Sequence, residues 1–238
     1  MLASAAPPQG SAVSADPDAW VTKTCTPRSE PGCAPVDHGL IADLRAHDPA
    51  DGPFALRSSG GFTPNSLIAA GVILERGLDA VIVDFCLSAC LEHLLPAFNR
   101  VAAHDQPLVL AHGNTDIFFR LLEAETGRTP ACMTRYRRAR DSVFANKPLP
   151  DTAQVQIETV GLSVTATGVD EFCVQGEVNR RHDAWAPTSA ELARHFGLEI
   201  EGAVAADDPG VLQQRLDSLM PPGTTVISGG QVYTSAND

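Results

Sequence analysis

Residues 37 to 112 alternate regularly between strand-like and helix-like segments, and this alternation limits most strongly what the chain can fold into. Short apolar runs typical of strands lie at 53–57, 80–83 and 107–111, and segments with apolar residues at helical spacing separate them. A strand, helix, strand, helix, strand order predicts a mostly parallel sheet with right-handed crossovers and flanking helices. We therefore expect one α/β domain over residues 37–238, and we find no internal repeat.

The second half of the chain has weaker patterns. Helices are expected at 116–125, 136–144, 188–196 and 209–219, one or two strands at 153–167, and a terminal hairpin at 226–234. The 188–196 helix begins with Thr188-Ser-Ala-Glu191, which is the pattern of a capping box. Residues 1–36 contain six prolines among Ser, Ala and Gly, so we expect a Pro-rich N-terminal arm there.

Charge and hydropathy exclude two classes of partner. The chain has 17 Lys and Arg against 29 Asp and Glu, a formal net charge of −12. An acidic surface of that size repels phosphate backbones, so we expect no nucleic-acid partner. The longest apolar stretch, 78–95, is interrupted by Asp79, Asp84 and Glu92, so we expect no membrane span.

Six cysteines without a CxxC pair favour an exported, disulfide-bonded chain, periplasmic or secreted. The small-residue and proline stretch at 2–8 is typical of a chain whose leader has been removed. A reduced cytosolic protein with core cysteines remains the alternative. We expect pairs Cys25–Cys33, Cys86–Cys90 and Cys132–Cys173, with an exchange of partners among the last four left open.

Metal and cofactor sites are not expected. Cys86, Cys90 and His93 have a spacing that resembles part of a zinc site, but no fourth ligand is evident in the sequence. His93 and most other histidines are expected at the surface, and the arginine-rich segment 135–140 is expected to be a solvated helix face.

Three polar features follow the three predicted strands: Gly60-Gly61, Ser88 and His112. Carboxyl ends of parallel strands meet at one edge of a sheet, so these features should share a site. Paired glycines allow backbone amides to approach a carbonyl oxygen, a serine at a strand-to-helix turn has an exposed hydroxyl, and a histidine can accept its proton. This set predicts a serine hydrolase, although a serine at such a junction is often only a helix cap.

The motifs Ser58-Ser-Gly-Gly61, Cys86-Leu-Ser-Ala-Cys90 and Leu108-Val-Leu-Ala-His112 resemble those of the ClpP-like serine peptidases in the ClpP/crotonase superfamily. The resemblance covers residues 38–113 and is greatest to exported bacterial members with a C-x-S-A-C turn. It implies that Ser88 is the nucleophile and His112 the base. It also implies that the amides of Gly60 or Gly61 and of Ala89 hold the oxyanion.

The resemblance is weaker for the third residue of the site, the acid that would orient His112. The family register leads to Asn179, and a shift of one turn would place Asp183 in that role, with Glu177 as another nearby acid. The expected partner is a peptide or protein substrate, and relatives of this fold often form rings, so a homo-oligomer is also expected.

Three alternative functions stay open. One is a binding or scaffold protein that has kept the fold and lost the acid. The second is a peptidase with a Ser-Lys dyad that uses Lys147, a residue whose flanking prolines predict an exposed loop. The third, acyl-CoA chemistry, draws only on the shared fold.

Overall fold

The computed structural model describes residues 36, 38–61, 63–113, 115–129, 131–169 and 174–236. Its elements, in chain order, are α1 (His38–Ala46), β1 (Phe54–Ser58), α2 (Thr63–Arg76), β2 (Ala80–Leu87), π1 (Cys90–Leu94), β3 (Val101–Leu110), α3 (Thr115–Thr126), α4 (Ala131–Val143), α5 (Ala153–Val160), β4 (Ser163–Val169), β5 (Val174–Asn179), β6 (Ala184–Trp185), α6 (Ser189–Glu191), π2 (Leu192–Phe196), β7 (Ile200–Glu201), α7 (Pro209–Leu219), β8 (Thr225–Ser228) and β9 (Gln231–Thr234). Short 3₁₀ turns lie at Pro49–Asp51, Leu95–Ala97 and Ala205–Asp207.

The central sheet is parallel and has the strand order β1-β2-β3-β7. Helices flank it, which confirms the expected α/β architecture at this level. Two smaller sheets accompany it in the described residues: the antiparallel pair β4-β5, and β6-β8-β9, in which Gly229-Gly230 forms the turn of the predicted terminal hairpin. The predicted arm lies outside the described residues except for Val36, whose amide donates to the carbonyl of Gly60 at 2.8 Å.

Strand β2 is longer than the sequence pattern predicts, because Asp84 interrupts its apolar run without ending it. Asp84 adopts a left-handed φ of 63°, and the register with β3 shifts between Val83 and Phe85. Oδ2 of Asp84 forms an ion pair with Nη1 of the buried Arg57 of β1 at 3.1 Å. The guanidinium of Arg57 also lies over the ring of Phe85. The bulge carries β2 on to Leu87, beyond the predicted strand at 80–83.

The segment after Ser88 is helical, as expected, but it is not a regular α-helix. A π-helical turn, π1, passes directly into the 3₁₀ turn Leu95–Ala97, which contains Pro96 near its start. The apolar residues at helical spacing after Ser88 are nevertheless all buried, namely Leu91, Leu94, Leu95 and Phe98. Short π-helical insertions are frequent beside functional sites.

The prediction of strands over 153–167 was wrong in its first half. Val155 and Ile157 alternate as in a strand, yet 153–160 forms α5, and the buried side chains are those of Ala153, Gln156 and Val160. The buried Gln156 satisfies its amide group by donating to the hydroxyl of Thr152 at 2.8 Å and accepting from the amide of Gly113 at 3.2 Å. A polar residue on the buried face concealed the helical period.

The main core lies between the sheet and the helices that follow Gly60 and Ser88, and a second cluster packs under α7. The capping box at Thr188 and Glu191 forms as predicted, with both reciprocal hydrogen bonds present. Among the described residues, the helices are all too short or too polar to cross a bilayer.

Candidate functional site

Ser88 occupies a strained turn at the carboxyl end of β2. Its φ of 56° is left-handed, a conformation that costs a residue with a Cβ about 1 kcal/mol or more. Two backbone hydrogen bonds hold it: its amide donates to the carbonyl of Leu110 at 2.9 Å, and its carbonyl accepts from the amide of Glu92 at 3.1 Å. Such a turn lifts the serine hydroxyl out of the strand toward the edge of the sheet.

A disulfide closes around this turn. Cys86 and Cys90 are bonded across a Cα separation of 5.4 Å, and neither is exposed, which confirms the predicted pair. Cys132 also takes part in a disulfide, while its expected partner Cys173 lies outside the described residues, as do Cys25 and Cys33. The described residues include no group of three or more metal-binding side chains.

Gly60 lies directly against Ser88. A Cβ on Gly60 would come within 2.6 Å of the carbonyl oxygen of Leu87 and 2.7 Å of the Ser88 Cβ, and the φ of Gly60 is +84°. Only glycine therefore allows this close approach. The Gly60 amide donates to Ser58 Oγ at 3.2 Å, within its own loop. The other predicted oxyanion donors are the amides of Gly61 and Ala89. Ala89 is buried, and its nitrogen would lie 3.0 Å from a Cβ added at Gly60.

His112 follows the neighbouring strand at the same edge. The register pairs Leu87 with Leu110, so Ser88 and His112 lie near each other at the ends of strands spaced about 4.8 Å apart. Two hydrogen bonds between Ala111 and Trp185 and the Gly113 contact with α5 fix the chain on either side of His112. In the described part of the chain, no hydrogen bond joins Ser88 Oγ to His112.

The imidazole of His112 is in an unusual environment. Its Nδ1 is buried and has no hydrogen-bond partner in the described residues. Burial, with Arg180 as a second cause, lowers the pKa of His112 from 6.5 to about 4. The ring is therefore neutral at pH 7 and can accept a proton, but nothing around it in the described chain favours the protonated form except a contact with its own backbone.

The predicted acids are engaged elsewhere. Asp183 accepts from the amide of Thr225 at 2.7 Å and from its hydroxyl at 2.9 Å, which ties β6 to β8. Asn179 is exposed on β5 and donates to Thr165 Oγ1 across the hairpin at 3.4 Å. Within the described residues, neither forms a hydrogen bond with His112.

Lys147 is remote from Ser88. Its Nζ donates to the carbonyl of Phe98 at 2.6 Å, just before β3 begins. Since β2 and β3 run parallel, Phe98 lies at the amino-terminal edge of the sheet and Ser88 at the opposite edge. The eight residues of β2 separate the two edges by about 26 Å.

An apolar cleft of about 190 Å³ opens beside His112. Arg180 is the charged group of the lining, and Ser88 is not part of it. The apolar lining residues are Ile117, Phe118, Leu121, Leu162, Val164 and Val178. Sequence reasoning did not identify this cleft, because its walls come from α3 and the β4-β5 hairpin, whose pairing the pattern did not predict.

One surface prediction was wrong, and another was correct only in part. His93 is almost fully buried. On the predicted arginine-rich face, Arg135 and Arg138 are exposed, whereas Arg140 is partly buried, with its guanidinium 3.3 Å from the buried carboxylate of Asp116. The helical spacing of Arg137 and Arg140 on α4 was a signal that both could face one carboxylate on α3.

Comparison with protein families finds no family model that matches the chain, and a search of curated proteins finds no relative. The likeness to ClpP-like peptidases therefore depends on the motifs around Gly60, Ser88 and His112 alone.

Proposed function

We propose that the chain is a serine hydrolase of the ClpP-like type that acts on peptide or protein substrates. The observation that carries the proposal is the left-handed Ser88 turn, which packs against Gly60 and is hydrogen-bonded to β3, the strand just before His112. Proteins keep a strained residue where the strain serves a purpose, and a helix cap does not require it.

In the proposed reaction, His112 accepts the hydroxyl proton of Ser88 as Oγ forms a bond to the substrate carbonyl carbon. The amides of Gly61 and Ala89 are the expected donors to the resulting oxyanion. When the tetrahedral intermediate collapses, the amine leaves with the proton from His112. Water then hydrolyses the acyl-enzyme by the same steps in reverse. The apolar cleft beside His112 would hold an apolar group of the substrate.

In this site Ser88 and His112 would act as a catalytic dyad without an orienting acid. In serine proteases with a triad, replacing the orienting aspartate lowers kcat by about 10⁴-fold. Here Nδ1 of His112 has no partner in the described residues, so we expect slow turnover and a long-lived acyl-enzyme.

Covalent labelling with a fluorophosphonate probe tests the proposal. We expect one adduct, on Ser88, that is absent from Ser88→Ala and slowed by at least about 10²-fold in His112→Asn. Ser163→Ala, which removes an exposed hydroxyl on the hairpin, is the matched control and should label normally. A folded protein that gives no adduct on Ser88 would reject the proposal.

A non-catalytic binding protein is the second candidate, and the unsatisfied Nδ1 of His112 favours it. In that case apolar peptides should bind with equal affinity to the wild type and to Ser88→Ala, and neither should be labelled. Hydrolysis of any bound peptide by the wild type alone would exclude it.

A further inference from the structure

The apolar cleft beside His112 adjoins the proposed base but not the proposed nucleophile. Gly113 packs so closely on the wall of the cleft that a Cβ on it would lie 2.8 Å from Cδ1 of Leu162. The lining includes His112 and Gly113, whereas Ser88 lies outside it. In acyl transfer by a serine and a histidine, the histidine gives its proton to the leaving amine. The cleft is therefore placed for the part of a substrate on the amine side of the broken bond.

The size and walls of the cleft fit one large apolar side chain. Its volume is about 190 Å³. A dry apolar cavity of about 150 Å³ holds a benzene molecule. Ile117, Phe118 and Leu121 of α3 form one wall, and the β4-β5 hairpin forms the other. Val178 of that hairpin is 40% exposed, so the cleft is open to solvent beside β5.

Arg180 is the charged group of this lining, and its guanidinium is open to a ligand. The residue before it, Asn179, pairs with Ser163 in the hairpin. The residue after it, Arg181, donates its amide to the carbonyl of Val160 at 3.2 Å, so the backbone is held on both sides. Arg180 itself is exposed, and its side chain has no ion pair or hydrogen bond with the described residues. An anionic group can therefore use its donors without displacing a carboxylate of the protein.

The charge of Arg180 acts on the imidazole of His112. Burial is the first cause of the lowered pKa of His112, about 4, and the charge of Arg180 is the second. Both side chains line the same cleft. The last residue of a peptide has its nitrogen and its free carboxylate on one Cα, so it can present the nitrogen to His112 and the carboxylate to Arg180. A carboxylate there also offsets the charge that disfavours protonation of His112.

A terminal carboxylate fits this cleft better than an acidic side chain does. A guanidinium binds a carboxylate through two parallel N–H donors. An acidic side chain in the cleft would instead bring a charge among apolar walls, which is costly. The net charge of −12 repels anions from the chain at long range, so a preference for an anionic peptide would have to arise locally.

We propose that the cleft binds the last residue of a peptide, with an apolar side chain between α3 and the hairpin and its free carboxylate on Arg180. This proposal rests on the serine hydrolase proposed above. Ser88 Oγ forms a bond to the carbonyl carbon that precedes the last residue, the C–N bond breaks, and that residue leaves as a free amino acid with the proton from His112. Water then hydrolyses the acyl-enzyme. The enzyme is accordingly a carboxypeptidase for apolar C-terminal residues.

Calorimetric titration of the full-length Ser88→Ala protein tests the recognition without hydrolysis. The probes are acetyl-Ala-Ala-Leu, its C-terminal amide, and acetyl-Ala-Ala-Asn, which has the same charge and a polar side chain of similar size. We expect the leucine acid to bind saturably and at least about fivefold more tightly than either of the others. Equal binding of the amide or of the asparagine peptide, or no saturable binding, overturns the proposal.

Two arginine variants locate the carboxylate. Arg180→Gln, added to Ser88→Ala, should remove the preference for the acid over the amide. Arg181→Gln is the matched control, because it removes the same charge from an adjacent exposed residue outside the cleft. It should keep the preference. An unchanged preference in Arg180→Gln overturns the assignment.

Hydrolysis by the wild type tests the position of the broken bond. Mass spectrometry should find free leucine and acetyl-Ala-Ala as the products of the leucine acid, and cleavage at an internal bond instead would overturn the proposal. The two proposals fail separately. If Ser88 is labelled by a fluorophosphonate but the acid and the amide bind and react equally, the hydrolase stands and the carboxypeptidase is rejected. If Ser88 is not labelled while the preference depends on Arg180, the hydrolase is rejected, and with it the role of the cleft in releasing an amino acid.

Discussion

The burial of His93 should make the stability of the protein depend on pH in a way that one substitution can remove. The pKa of His93 is lowered from 6.5 to about 4, chiefly by burial and also by Arg140. Above pH 7 the ring is neutral in both the folded and the unfolded states, so it contributes no pH dependence there. As the pH falls through 6.5, the unfolded chain binds a proton that the folded chain does not bind until about pH 4.

The magnitude follows from this difference in pKa. A shift of about 2.5 units corresponds to about 3 kcal/mol of unfolding free energy lost between pH 7 and pH 4. Other ionisable side chains, those of Glu92, Asp116, Tyr136 and Arg140, line one cavity with His93. The contribution of His93 is therefore obtained as the difference between the wild type and His93→Gln, not from the wild type alone.

Urea unfolding at several pH values between 7 and 4 provides the measurement. His93→Gln should lose about 3 kcal/mol less than the wild type over this range, whatever its stability at pH 7. His104→Gln removes an exposed imidazole from β3 and is the matched control, expected to follow the wild type. If His93→Gln and the wild type show parallel pH dependences, His93 is not held neutral in the folded state and the reasoning fails.

Three shorter predictions concern the serine site. Gly60→Ala should destabilise the fold by about 2 kcal/mol more than Gly223→Ala in thermal unfolding, because both glycines have φ near +80° but only Gly60 has backbone within 3 Å of its Cβ position. The rate of fluorophosphonate labelling of Ser88 should be constant above neutrality and fall by half near pH 4, where His112 becomes protonated; a midpoint near 6.5 would contradict the buried environment of His112. Asp183→Asn should lower the unfolding midpoint through its contacts with Thr225 and leave the labelling rate within about twofold of wild type, whereas a loss of about 10³-fold would assign it the acid role.

Most of the sheet could be predicted from the sequence because its strands are buried and have an apolar pattern. β1 and the terminal hairpin lie close to their predicted positions. β2 was predicted too short because Asp84 was interpreted as its end. That residue continues the strand through a bulge that Arg57 supports, and this ion pair depends on a tertiary contact that no local pattern reveals.

The candidate site likewise has a part that could be predicted from the sequence and a part that depends on tertiary contacts. Gly60, Ser88 and His112 follow strands, so their placement at one edge could be predicted from topology. The surroundings of His112 depend on how residues far along the chain fold back onto β3. The hydrogen bond from Gly113 to Gln156 and the engagement of Asp183 with Thr225 are contacts of that kind, and motif spacing does not determine them.

The Cys86–Cys90 bridge has a consequence for how samples of this protein should be handled. It spans only the residues that carry the Ser88 turn, so it constrains the backbone of that turn directly. Protein synthesised in a reducing cytosol has the same amino acids but a less constrained turn. Preparations are comparable only when the oxidation state of these two thiols has been established by mass, and inactivity in a thiol-containing buffer does not show that Ser88 is inert.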